Sequence, residues 1–155
     1  MIHPASEAVP STTAEPLKVL VVDDDEDVRT IVELAVGSLG HSCRVASDGL
    51  EALEMHTHER ADVILSDWTM PRMDGLELCL KIRAGDPARA YTHFIFFTGN
   101  SGKAHSREGM RAGADDYLFK PIDIDQLEAR FAVARRVLSL HRELRDNRAG
   151  ATPSK

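Results

Sequence analysis

Four short apolar runs in this chain deliver residues suited to metal and phosphoryl chemistry. Asp23 and Asp24 follow the run Lys18–Val22, Asp67 follows the run over 62–66, Thr98 closes the run over 93–97, and Lys120 follows the run over 117–119. Three carboxylates brought to one edge repel one another and raise each other's pKa unless a cation neutralises them. Mg²⁺ is a natural neutraliser, because it accepts one or two carboxylates, keeps several waters and leaves positions for phosphate oxygens. Asp24 and Asp67 suit direct ligation, and Asp23 a water-mediated contact. A carboxylate is also a competent nucleophile that forms an acyl phosphate. The Thr98 hydroxyl and the Lys120 ammonium are the donors needed for charge developing on phosphoryl oxygens.

These residues meet only if the chain folds in a particular way, and the hydrophobic pattern supplies it. The run over 18–22 is β-branched and reads as a buried strand. Val28, Ile31, Val32, Ala35, Val36 and Leu39 then mark one helical face, closed by Gly40. A second strand over 42–46, an Asp48-Gly49 turn and cap, and a helix over about 50–58 follow. The strand over 62–66 leads to the 71–75 turn and to a helical pattern of Leu76, Cys79, Leu80 and Ile82, which breaks at Gly85-Asp86-Pro87. The strand over 93–97, a weak helix over about 103–111, the strand over 117–119 and a long helix from near Asp123 complete the alternation. Five strand–helix repeats with short connections imply right-handed crossovers and a parallel sheet covered on both faces. In such sheets ligands bind outside the carboxyl ends of the strands, which gathers Asp23, Asp24, Asp67, Thr98 and Lys120 into one site.

The chain has 155 residues, 43% of them hydrophobic, enough for the core of one domain. Residues 1–16 read as a flexible tail, residues 17–140 as the domain, and residues 141–155 as a helix extension with a disordered tail from Ala149. With 25 acidic against 19 basic residues the formal charge is -6, which gives no general attraction to nucleic acid or anionic lipid. Cys43 and Cys79 are too few for a disulfide framework, and no apolar stretch is long enough to span a bilayer. A reducing cytoplasm is the expected setting.

The sequence resembles the receiver domain of bacterial two-component response regulators over residues 17–140. Val21-Val22-Asp23-Asp24-Asp25, the segment from Asp67 through Pro71 to Gly75, Thr98-Gly99 and Lys120-Pro121 carry the likeness. The resemblance implies a (βα)5 fold, doubly wound, with the flavodoxin-like strand order 2-1-3-4-5. It implies that Asp67 accepts phosphate from a histidine kinase or histidine phosphotransferase. Mg²⁺, with Mn²⁺ as the alternative, is then held by Asp23, Asp24, Asp67 and the Thr69 backbone carbonyl. Thr98 and Tyr117 fall at the switch positions, and Lys120-Pro121 at a cis peptide. Thr69 and Asn100 fall where phosphoryl lifetime is tuned. Residues 135–148 look like the helical linker that joins a receiver to an output domain such as a diguanylate cyclase. A single-domain regulator and a truncated piece of a larger one are both compatible with that.

Plainer readings accompany several residues. Asp25, Glu26 and Asp27 read as the acidic first turn of a helix, where they complement its dipole. Tyr117 opens an apolar strand and serves equally as core. Trp68 reads as a rim residue or a reporter of metal binding. His56 and His58, two apart on a helix, face different directions and read as a solvated face. Gly99 to Lys103 lacks the spacing of a phosphate loop. On the last helix, Leu127, Phe131, Ala134 and Leu138 can face the sheet. Val133, Val137, Leu140 and Leu144 form a second stripe for a partner helix, including a second copy of this chain, or else Val133 and Val137 merely widen the buried face. The enzymatic rival is a phosphatase of the haloacid-dehalogenase type, using Asp23-x-Asp25, Thr98, Lys103 and Asp115-Asp116. It leaves Asp67 without a role and puts Asp115 and Asp116 before a strand instead of after one.

Overall fold

The computed structural model describes residues 15–99 and 103–150. Residues 1–14 of the tail expected over 1–16, residues 151–155 of the tail expected from Ala149, and Asn100 lie outside the described residues. The elements run β1 Lys18–Val22, α1 Glu26–Ser38, β2 Ser42–Ala46, α2 Gly49–His58, β3 Val63–Ser66, α3 Gly75–Arg83, β4 His93–Thr98, α4 Lys103–Ala112, β5 Asp116–Phe119 and α5 Ile124–Gly150. All five strands are parallel, in the order β2-β1-β3-β4-β5. The order reverses direction between β1 and β3, whose carboxyl ends carry the acidic residues.

Strand alternation divides the core between the two faces of the sheet. Val19, Val21, Leu65, Ile95 and Phe97 pack with Val32 and Val36 of α1 and with Leu127, Phe131, Ala134 and Leu138 of α5. Leu20, Val22, Ile64, Phe94 and Phe96 face the other way, onto Ala52, Leu78 and Cys79 of α2 and α3. β1, β3 and β4 are buried on both faces, which is why they read as continuous apolar runs.

Aspartates start four of the helices, with Asp123 before α5 accepting from the Asp125 and Gln126 amides. Asp25 accepts from the Asp27 and Val28 amides, Asp48 from Glu51 and Asp74 from Glu77, satisfying amides that a helix start leaves open. Gly40, at φ 90°, turns the chain out of α1 into β2. Two expectations for helix faces shift. Ile31 is 53% exposed although it belongs to the apolar stripe of α1, because Val32 and Val36, one turn apart, are the residues directed at the sheet. Leu80 likewise stands out of α3, where Leu78 and Cys79 are buried instead.

α5 continues to Gly150, so it includes Ala149 and Gly150, which the sequence places in the tail. Val133 and Val137 are half-buried and widen its packed face, whereas Leu140 and Leu144 are exposed. Contacts to other segments tie the helix down. His141 stacks on Tyr91 with ring centroids 3.7 Å apart, and Arg135 Nη1 donates to the Glu15 carbonyl at 2.9 Å.

Candidate functional site

Backbone ladders carried just past the strand ends set the site. Asp23 N–H donates to Ala46 O at 3.1 Å, Asp67 N–H to Val22 O at 2.9 Å and Lys120 N–H to Thr98 O at 3.0 Å. Asp23, Asp67 and Lys120 are thereby held by their neighbouring strands and not by a free loop. The carboxylates of Asp23, Asp24 and Asp67 come within 4.8 Å of one another. Asp23 is buried, Asp67 half-buried and Asp24 exposed, so the cluster opens to solvent on one side.

Lys120 Nζ sits between two of these acids, 2.8 Å from Asp23 Oδ2 and 3.1 Å from Asp67 Oδ2. The other Asp67 oxygen, Oδ1, accepts from the Trp68 amide at 2.7 Å. Asp23 Oδ1 accepts from the Asp25 amide at 2.9 Å, while Arg29 Nη1 donates to the Asp23 carbonyl at 2.8 Å. Burial pushes the Asp23 carboxyl above its usual range, and the Asp67 charge adds to that. The hydrogen bonds from Lys120 and from the Asp25 amide pull the other way. For Lys120 burial pulls downward, but its bonds to Asp23 and Asp67 outweigh this and raise its pKa.

Three carboxylates against one ammonium leave the cluster at 3 − 1 = 2 negative charges. A divalent cation balances that, and all-oxygen donors facing solvent are the donor set Mg²⁺ prefers. Asp25 does not join them, because its side chain is committed to capping α1. Thr69 lies two residues beyond Asp67 and is exposed. Thr98 is buried at the end of β4, and the Lys120-Pro121 peptide is cis.

The loop after Asp67 is shaped by residues that the sequence marks only as a turn. A Cβ on Gly75 would collide with the Asp67 carbonyl oxygen and would lie 3.0 Å from the Phe96 ring, so only glycine fits beneath the acceptor. Gly75 N–H also donates to Trp68 O at 2.8 Å. Arg72 adopts a left-handed φ of 67°, held by a 2.9 Å ion pair to the buried Asp48 carboxylate. Burial opposes the charge on Asp48, yet the Glu51 amide and Arg72 overcome it and lower its pKa.

Two aromatic residues near the site find defined places. Trp68 is buried, not at the rim, because its ring packs on Phe96 of the neighbouring strand at 4.7 Å. Tyr117 is half-buried, 5.3 Å from the same Phe96 ring, with its hydroxyl donating to Ser106 O at 3.4 Å. Gly109 of α4 makes room for that hydroxyl. His56 departs from the solvated reading. It is buried, with Nδ1 accepting from the Ala61 amide at 3.1 Å, whereas His58 is exposed.

Comparison with known proteins points the same way. A family model described as the response regulator receiver domain matches residues 19–132. The response regulator MprA of Mycobacterium sp. (strain KMS) is 39% identical over 123 residues, which cover 78% of this chain and 52% of that protein. This chain therefore spans about half the length of the curated relatives it matches. Among solved structures, the receiver domain of the Francisella response regulator 1452 superposes with a TM-score of 0.69 at 34% identity, covering 77% of this chain and 97% of that one. The Vibrio cholerae chemotaxis protein CheY4 gives 0.72 at 31% identity, covering 77% and 99%.

Proposed function

Since the chain belongs to the response regulator receiver domain family of two-component systems, we propose that it accepts a phosphoryl group on Asp67 from a histidine kinase or histidine phosphotransferase. The observation that carries this reading is the Lys120 ammonium held between Asp23 and Asp67 at the mouth of a three-carboxylate cluster. In the transfer, a carboxylate oxygen of Asp67 forms the new O–P bond as the donor's P–N bond breaks. The departing imidazole recovers its proton from water. Lys120 is already in reach of Asp67 and exchanges a carboxylate oxygen for a phosphoryl oxygen as that charge arrives. The ladder bond from Asp67 N–H fixes the nucleophile, and the Trp68 amide orients its second oxygen. Asp23, Asp24, Asp67 and the Thr69 carbonyl would hold Mg²⁺, or Mn²⁺ in its place, which would supply neutralisation of the charge on the acids and the phosphoryl group.

The signal leaves through Thr98 and Tyr117. A phosphoryl group on Asp67 favours whichever conformation offers it the Thr98 hydroxyl, and Tyr117, packed beside Thr98's strand on Phe96, repacks against α4. The output is a protein partner, or an output domain such as a diguanylate cyclase reached through α5, in a cytoplasmic setting. Exposed Leu140 and Leu144 suit pairing of α5 with a partner helix or a second copy. Sedimentation velocity with and without beryllofluoride, on the parent and on Leu140→Glu, distinguishes the two: a homodimer appears only in the parent, and a monomer in every state leaves the stripe to another protein.

The haloacid-dehalogenase reading loses two of its parts to other duties. Asp25 caps α1, and Asp115 lies before β5, where it binds Arg83, Tyr91 and the Phe94 amide. Acetyl phosphate with Mg²⁺ is expected to label the chain once, with no turnover of an aryl phosphate. Sustained aryl phosphate hydrolysis would reverse the assignment.

A further inference from the structure

At the end of the sheet remote from Asp67, the last turns of α2 and α3 and the segment leading into β4 enclose a cavity of about 380 Å³. That size falls within the range of small-molecule sites. Its polar lining is dominated by donors. Because His56 Nδ1 accepts from the Ala61 amide, the neutral ring carries its proton on Nε2, and that N–H has no hydrogen-bond partner among the described residues. The Arg89 guanidinium donates once, to the His56 carbonyl at 3.2 Å, and has further N–H groups to give. Neither Arg89 nor Lys81 has a carboxylate partner among the described residues.

The surrounding charge is predominantly positive. Arg83 lines the cavity with its nitrogens engaged by Gly113 O, Thr92 O and Asp115, so it adds field more than free donors. Burial lowers the His56 pKa to about 4, and Arg89, Arg60, Arg44 and Arg83 all push it the same way. The one carboxylate on the lining, Asp86, is exposed and occupied in accepting the Ala88 amide at 2.8 Å. A chain with a formal charge of -6 thus holds a concave, donor-rich, positive pocket at the pole opposite its acidic site.

We infer that this cavity binds a small oxyanion, the phosphate or carboxylate group of a compact anionic metabolite, with Lys81, Arg89 and His56 Nε2–H as its donors. The assignment does not depend on phosphoryl transfer at Asp67. Paired charge-assisted bonds from Arg89, a point charge from Lys81 and a neutral donor from His56 would seat the oxygens, and Tyr91 closes one wall beneath the Arg83 guanidinium, 4.5 Å from its ring.

The test is heteronuclear NMR on the full chain in chelator, titrated with inorganic pyrophosphate in one arm and citrate in the other. Saturable shifts at His56, Lys81, Arg89 and Tyr91 are expected in at least one arm, and the arm identifies phosphate or carboxylate as the preferred group. The His56 midpoint should move upward with the anion bound, since a nearby negative charge favours the imidazolium. Lys81→Glu, on the exposed rim, should weaken binding roughly tenfold or more, and Arg89→Gln similarly. Shifts that never saturate, that spread over surface cations generally, that centre on Lys120, or that are unchanged in Lys81→Glu would overturn the site.

Discussion

Replacing Lys120 by Met removes the one cation paired with the carboxylate cluster among the described residues and keeps the length of the side chain. At an effective dielectric near 20, Coulomb's law gives about 6 kcal/mol for the contact with Asp23 at 2.8 Å and about 5 kcal/mol for that with Asp67 at 3.1 Å. The desolvation that Lys120 itself undergoes offsets much of this, and its side chain remains 24% exposed. The variant should therefore lose about 2–3 kcal/mol of stability in chelator, a fall of roughly 6–12 °C in Tm for a domain of this size. Saturating Mg²⁺ should shrink that deficit, because the metal neutralises the same acids and no longer competes with an ammonium. If it recovers about 1.4 kcal/mol, the variant must bind the metal about tenfold more tightly. Urea unfolding with and without Mg²⁺, beside a Trp68 fluorescence titration, measures both quantities. A deficit of equal size in chelator and in Mg²⁺, or none at all, would refute the electrostatic account.

Asp24→Ala should weaken Mg²⁺ binding far more than Asp25→Ala, which should instead lose about 1 kcal/mol of stability through its helix cap, as fluorescence titration and urea unfolding would show. Burial lowers the His56 pKa to about 4, so between pH 6.5 and about 4 the unfolded chain takes up protons that the folded chain refuses. The stability present above pH 6.5 should accordingly fall by about 3 kcal/mol as the pH drops through that window, and His56→Gln, compared with the parent by urea unfolding across it, should remove this component. Gly75→Ala forces a Cβ against the Asp67 carbonyl and should lower stability by about 2–3 kcal/mol and slow labelling of Asp67 in the same preparation. Near-parent stability and labelling would show that the loop yields freely.

The parallel sheet was readable because β1, β3 and β4 bury both faces and so appear as unbroken apolar runs, and because each run ends in a polar residue. The gathering of Asp23, Asp24, Asp67 and Lys120 followed from the rule that such sheets present their ligand sites at the carboxyl ends of the strands. What escaped depends on contacts between segments distant in sequence. The burial of Trp68 needs Phe96 on the adjacent strand, and that of His56 needs the Ala61 amide turning back onto the ring. Arg29, Arg72 and Gly75 support the site through backbone carbonyls, a capping aspartate and a bare Cα, none of which leaves a periodic signal. The basic cavity draws His56, Lys81 and Arg89 from three separate segments, and the net charge of the chain conceals it.

Phosphoacceptance by Asp67 is tested most directly by chemical mapping of the labelled residue. After brief exposure to acetyl phosphate and Mg²⁺, borohydride reduces an aspartyl phosphate to homoserine, and peptide mass spectrometry locates the change. Homoserine is expected at position 67 alone, dependent on Mg²⁺ and absent in chelator. Homoserine at Asp23, Asp24 or Asp25, or labelling that persists in Asp67→Asn, would contradict it.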